Sequence, residues 1–168
     1  TGGTINTITT GKKIVKHLLK KAQVSQREPI DDSELIIGTK CGGSDAISRL
    51  TANAALGYTS DLLVSKGGTV ILSEVPEMLG AESVLARRAI SETVRTRIWE
   101  ITRETETRIK SAGVDIRGSE PSPGNIAGGI TTLEEKSLGA IRKGGTTPIM
   151  QVVQYAEKPS QKGLIIMD

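Results

Sequence analysis

Leu35-Ile36-Ile37-Gly38-Thr39-Lys40-Cys41-Gly42-Gly43-Ser44-Asp45 is the stretch whose reading decides the fold. A short apolar run of strand type, Leu35 to Gly38, gives way to two adjacent glycines and then to a polar residue suited to opening a helix near Asp45. The continuation completes the unit. Ile47, Leu50, Ala54, Tyr58 and Leu62 recur at helical spacing, Gly67-Gly68 stops the stripe, and Thr69-Val70-Ile71-Leu72 begins a second apolar strand at once. A strand-helix-strand unit of this kind predicts parallel pairing with a right-handed crossover.

The strand-to-helix junction is also the first candidate site. Glycines allow close backbone approach by a ligand, and helix-opening amides, aided by the helix dipole, favour an anion such as a carboxylate. Cys41, the one cysteine of the chain, stands at that mouth. The bland alternative is a buried thiol beside a tight turn. Ser73-Glu74-Val75-Pro76-Glu77 leaves the carboxyl end of the second strand, so Glu74 and Glu77 are expected on the same sheet edge as Cys41.

Further along, one long helix is expected from about Glu82 to Ala112, with Ile90, Val94, Ile98, Ile101 and Ile109 on its buried stripe. Its alternating Arg and Glu residues read as solvated pairs of little energetic weight. Arg117 to Gly129 reads as a long Gly/Pro/Ser loop, a place where function is often carried. Thr131 to Glu135 reads as a capping box opening a short helix that Gly144-Gly145 ends, and Thr147-Pro148 as the start of another helix. Pro159 leads into a last strand, Leu164 to Met167. Alternation of apolar runs with helical stripes predicts a single three-layer α/β domain over residues 1–168, Rossmann-like, with a mainly parallel sheet and helices on both faces.

Composition narrows the function. The 168 residues contain no phenylalanine and only Trp99, Tyr58 and Tyr155 as aromatics, with a net charge of +3. That leaves little stacking surface or charge for a nucleic-acid partner. Lys12, Lys13, Lys16, Lys20 and Lys21 surround Ile14, Val15, Leu18 and Leu19 at helical spacing and read as a solvated helix face, with His17 among them. No apolar run reaches membrane-span length, and a lone cysteine cannot make an internal disulfide, so a cytoplasmic address is expected. Nucleotide loops of the Gly-Xaa-Gly-Xaa-Xaa-Gly or Gly-Lys-Ser/Thr type do not occur, and neither does a Gly-Xaa-Ser-Xaa-Gly elbow. What remains is a carboxylate- or metal-binding edge: Cys41, Asp45, Glu74, Glu77 and Asn125 offer one soft ligand and several oxygens. For Glu74 and Glu77 the alternative is a capped, solvated turn.

These segments taken together resemble the sugar-acid dehydratase family that contains altronate and galactarate dehydratases. The resemblance is carried by Gly2-Gly3-Thr4, Gly38 to Asp45, Gly67 to Glu74, Pro76-Glu77, Gly80-Ala81-Glu82, Pro121-Ser122-Pro123-Gly124-Asn125, Gly128-Gly129 and Thr131 to Gly145. The large subunit of sulfolactate sulfo-lyase belongs to the same family. Ile126 stands where the dehydratases usually carry lysine, and Val114 to Gly118 is closer to the sulfo-lyase side.

The resemblance implies a lyase that removes water, or sulfite in the alternative, from a hydroxy-carboxylate and yields a 2-keto acid through an enol. It also implies a divalent metal, Fe2+, with Cys41, Glu74 and Glu77 at or near it, the amides of Gly42, Gly43 and Ser44 together with Asp45 holding a substrate carboxylate, and Asn125 bonding a hydroxyl. It leaves the general base unassigned. Family members carry further parts, as flanking domains or a small partner subunit, so the chain reads as a central fragment that is inactive alone, and a homo-oligomer is compatible with it. A non-catalytic carboxylate-binding or scaffold domain is the reading from outside enzymology.

Overall fold

A computed structural model describes residues 2–168. The chain divides into two compact units, one up to Ile30 and one spanning Asp31–Asp168. The first holds α1 (Gly3–Ala22), the expected basic helix, none of whose residues is buried. The α/β architecture belongs to the second.

In that unit four strands form one all-parallel sheet: β1 (Ile36–Thr39), β2 (Thr69–Leu72), β3 (Ile149–Val153) and β4 (Gly163–Met167), in the spatial order β1-β2-β4-β3. Helices α2 (Ala52–Ser65), α3 (Glu82–Ala86), α4 (Glu92–Ser111), α5 (Ile116–Ser119), α6 (Pro123–Ala127) and α7 (Leu133–Ala140) accompany it, in the three-layer α/β manner expected. The two central strands are buried apolar runs, as parallel strands flanked on both sides must be. Val70, Leu72, Leu164 and Ile166 meet Leu63 of α2, Ile98 and Ile101 of α4, and Ile141, Ile149, Val75 and Met78 in one core. Each fully buried aliphatic side chain contributes about 1.5–3 kcal/mol.

Five expectations are corrected. The helix after β1 does not open near Asp45: residues 46–51 form turns and α2 starts at Ala52. Most of the stripe assigned to it is exposed, with Ile47 and Leu50 outside the helix, Ala54 half-buried and Tyr58 and Leu62 facing outward, while Gly57, Ser60 and Leu63 are buried. The side chain that should have nucleated a helix at Asp45 instead accepts from the amides of Ile47 and Ser48 at 2.9 and 2.7 Å, closing a local turn.

The long helix from Glu82 is two. Ser91 accepts from the Val94 amide at 3.2 Å and caps α4, while the backbone just before it joins the sheet margin, Ile149 N–H donating to Arg88 C=O at 2.8 Å and Ile90 N–H to Ile149 C=O at 3.0 Å. Ile90 is exposed as a result. Within Arg117 to Gly129 the loop holds α6 and the end of α5, and Ser122 with Asn125 closes a capping box on α6. Thr147-Pro148 opens no helix. Pro is tolerated at a strand start, and the run Ile149 to Val153, with β-branched Ile149, Val152 and Val153, pairs with β4 as β3.

Candidate functional site

All four strands point the same way, so the segments after β1 and β2 leave a common carboxyl edge, where the register pairs Thr39 with Leu72. Ser73 Oγ donates to the Thr39 carbonyl at 2.5 Å and ties the two exits together. The next residue, Glu74, takes a left-handed backbone conformation with φ 67°. A non-glycine residue held there costs about 1–3 kcal/mol, a strain that recurs at ligand sites. Its carboxylate accepts from the backbone N–H of Cys41 and, at 2.9 Å, from Lys40 Nζ. Burial alone would lift the Glu74 carboxyl, but the Cys41 amide and the Lys40 ammonium bring it below the ordinary glutamate range.

Cys41 meets a partner the sequence reading did not single out. Lys143 Nζ donates to Cys41 Sγ, and Lys143 is only 2% exposed. It lies in the one-turn 3-10 segment Ile141–Gly144, held against α2 by Ser60 Oγ, which donates to the Lys143 carbonyl at 2.7 Å. Contact with α2 is close: a Cβ on Gly57 would lie 2.3 Å from the Arg142 carbonyl oxygen. Glycine at that helix position is what lets the segment, and the lysine on it, come so near. Burial pushes the half-buried Cys41 thiol up, and the hydrogen bond from Lys143 offsets part of that.

Glu77 completes the group from the 3-10 turn Val75–Met78. Its Oε1 lies 3.2 Å from Lys136 Nζ, and Lys136 also reaches Glu120 at 2.8 Å. Burial works against the Lys136 ammonium, yet its two carboxylate partners outweigh that and raise it. Glu77 Oε2 is buried with no hydrogen-bond partner among the described residues. Glu77, Ser73 and Lys143 line the same small gap with Leu72 and Ile141.

The remaining expected residues sort differently. Gly42 and Gly43 are exposed, and a Cβ on either would meet nothing within 4 Å, so the protein's own packing does not require glycine there and the mouth stays open. With α2 starting at Ala52, no helix dipole stands behind Gly42 to Asp45. Asn125 does reach the loop: its Nδ2 donates to the Ser44 carbonyl at 3.0 Å, while Oδ1 accepts from Ser122 Oγ at 2.8 Å. Both ends of that amide therefore hold structure. Asp45 is occupied with Ile47 and Ser48, and those hydrogen bonds, Ser48 first, lower its carboxyl. Lys143 and Lys136 are what residue-by-residue reading missed. Arg142-Lys143-Gly144 looks like the basic end of an exposed helix, and no local signal distinguishes it.

As a metal shell the expected trio does not fit. Each donor already carries an ammonium group, Lys143 on Cys41, Lys40 on Glu74 and Lys136 on Glu77. Among the described residues no group of three or more His, Cys, Asp or Glu side chains is arranged to hold a metal ion.

A parallel α/β domain with a lysine-rich cluster at its carboxyl edge defines the class. Residues 32–168 match the family described as D-galactarate/Altronate dehydratase, C-terminal, and the chain belongs to it. It is 43% identical over 157 residues to altronate dehydratase of Bacillus subtilis (strain 168), covering 94% of this chain and 31% of that protein. It is 42% identical over 153 residues to galactarate dehydratase (L-threo-forming) of Escherichia coli (strain K12), 91% of this chain and 29% of that one. With (2R)-sulfolactate sulfo-lyase subunit beta of Chromohalobacter salexigens it shares 38% identity over 168 residues, 99% of this chain and 43% of the relative. The chain thus spans about a third of the length of the dehydratases it matches.

Proposed function

We propose that this chain is part of a hydro-lyase that dehydrates a sugar acid of the altronate or galactarate type to a 2-keto-3-deoxy acid. The observation that carries the reading is the meeting of Cys41, Glu74 and Lys143 at the carboxyl edge, within a chain similar over nine-tenths of its length to proteins named as such dehydratases. In the reaction a general base, to which no residue is assigned, takes the C2 proton, the C–H electron pair forms the C2–C3 double bond, the C3 hydroxyl leaves as water after taking up a proton, and the enol ketonises. The open Gly42-Gly43-Ser44 backbone and the Lys40 ammonium hold the substrate carboxylate. Cys41, kept as a thiol by burial, gives the leaving hydroxyl its proton and is resupplied through Lys143. Asn125 serves by fixing the Ser44 loop.

The iron implied by the resemblance finds no ligand set in Cys41, Glu74 and Glu77, and no step runs through it. Other parts of a longer protein, or a second subunit of the kind implied by a relative named subunit beta, complete the site. A thiol in use fits the reducing conditions of the cytoplasm.

The intact protein is to be assayed with altronate, galactarate and sulfolactate. Keto-sugar-acid formation is expected, with Cys41→Ser and Lys143→Met each lowering kcat about 100-fold or more at little changed KM, as for loss of a general acid. Lys40→Met should raise KM instead. Sulfite release without keto-sugar-acid formation moves the substrate to sulfolactate, and wild-type kcat in both Cys41→Ser and Lys143→Met removes the thiol–amine pair from the mechanism.

A further inference from the structure

The Ile141–Gly144 segment that carries Lys143 also borders an open groove of about 440 Å3, within the range of roughly 300–1,000 Å3 usual for small-molecule sites. Its apolar lining includes Leu50, Leu138 and Ile141, and its cations are Arg49, Arg88 and Arg142. Three guanidiniums on an apolar floor need counter-charge, and the protein supplies little.

Arg88 is the most telling. It is half-buried, and burial pulls its guanidinium below the ordinary arginine range. Its Nε and Nη2 donate to carbonyls, reaching Thr147 at 3.2 and 2.8 Å and Gly144 at 3.0 Å, while Nη1 has no protein acceptor among the described residues. Asp61, the acid that acts on it, spends its oxygens on Thr146 N at 2.7 Å, Thr146 Oγ1 at 2.8 Å and Thr147 N at 3.2 Å. Among the described residues Arg49 has as carboxylate partner only Glu135, at 3.6 Å, and that carboxylate is engaged by Thr131. Arg142 has no carboxylate within ion-pair distance among the described residues. A partly buried cation hydrogen-bonded only to carbonyls, its nearby carboxylate bonded to other groups and its Nη1 free beside a groove, is matched best by an anion from outside.

We propose that this groove is a second ligand site that takes a small carboxylate with an apolar body. The carboxylate sits among Arg88, Arg142 and Arg49, and the body lies over Leu50, Leu138 and Ile141. None of these residues takes part in the chemistry assigned to Cys41, so the two sites stand or fall separately.

Calorimetry on the intact protein with octanoate tests this, with octanamide as the neutral counterpart and inorganic phosphate as charge without an apolar body. Octanoate is expected to bind saturably and at least about tenfold more tightly than either comparator, and the exposed substitutions Arg142→Glu and Arg49→Gln should each weaken it about tenfold. Methyl resonances of Leu50, Val84, Leu138 and Ile141 should shift on titration. Absence of saturation, equal binding of octanamide, affinity unchanged in both arginine variants, or shifts confined to other methyl groups would each overturn the assignment.

Discussion

On α4 the apolar stripe goes where its spacing directs it: Ile98 and Ile101 are buried, Thr102 and Thr105 beside them, and the Arg97–Glu100–Glu104 pairs face water. On α2 the stripe goes the other way. Tyr58 is 74% exposed and Leu62 48%, whereas the side turned inward carries Asn53, Gly57, Ser60 and Leu63. That inner side works by closeness and hydrogen bonds. Asn53 Nδ2 donates to the Gly139 carbonyl at 3.0 Å, Ser60 Oγ to the Lys143 carbonyl at 2.7 Å, and Gly57 gives the space for the Arg142 carbonyl to come close. Apolar period therefore identifies a helix but not always the face it buries; small and short polar residues in register mark the face that meets backbone.

The sharpest way to break this contrast is in the core. Ile98→Ala on α4, at a site 0% exposed, should lower unfolding free energy by about 2–5 kcal/mol in chemical denaturation. Next comes Gly57→Ala. In an ordinary helix interior that change gains roughly 0.5–1 kcal/mol, but here the new methyl meets the Arg142 carbonyl and a loss of about 1–3 kcal/mol is expected. Displacing the turn that carries Lys143 should also speed alkylation of Cys41 by iodoacetamide; stabilisation with unchanged alkylation would show that the close approach is dispensable. Smallest is Tyr58→Ser on the outer stripe, expected within about 0.5 kcal/mol by thermal or chemical melting. A loss above about 1 kcal/mol in the intact protein would mean that the α2 stripe is covered there.

Three of the four strands were legible as plain apolar runs: Leu35 to Gly38, Thr69 to Leu72 and Leu164 to Met167 fall within a residue of β1, β2 and β4, although only β2 and β4 are buried and the edge strand β1 leaves Ile36 and Ile37 exposed. β3 was not, since Thr147-Pro148 is equally good punctuation for a helix and for a strand. Ser91 was the visible mark of the break before α4, lost inside a longer periodic pattern. At the site, the meeting of Cys41 with Glu74 followed from topology alone, because both leave parallel neighbours at one end. Lys143 could not follow from any local pattern: its burial depends on Gly57 and Ser60, which lie far away along the chain.

Strand order carries a kinetic consequence. β4 lies between β2 and β3, yet it is the last of the four to be synthesised. Until Gly163–Met167 emerges, β2 keeps one side of its hydrogen-bonding ladder open, with Val70 and Leu72 lacking Leu164 and Ile166 beside them. A nascent chain in that condition exposes an apolar strand edge, the template on which misassembly begins. Folding of the sheet is thus gated by its final insertion, and an interrupted chain that stops short of Gly163 is expected to collect in aggregates rather than in a smaller folded core.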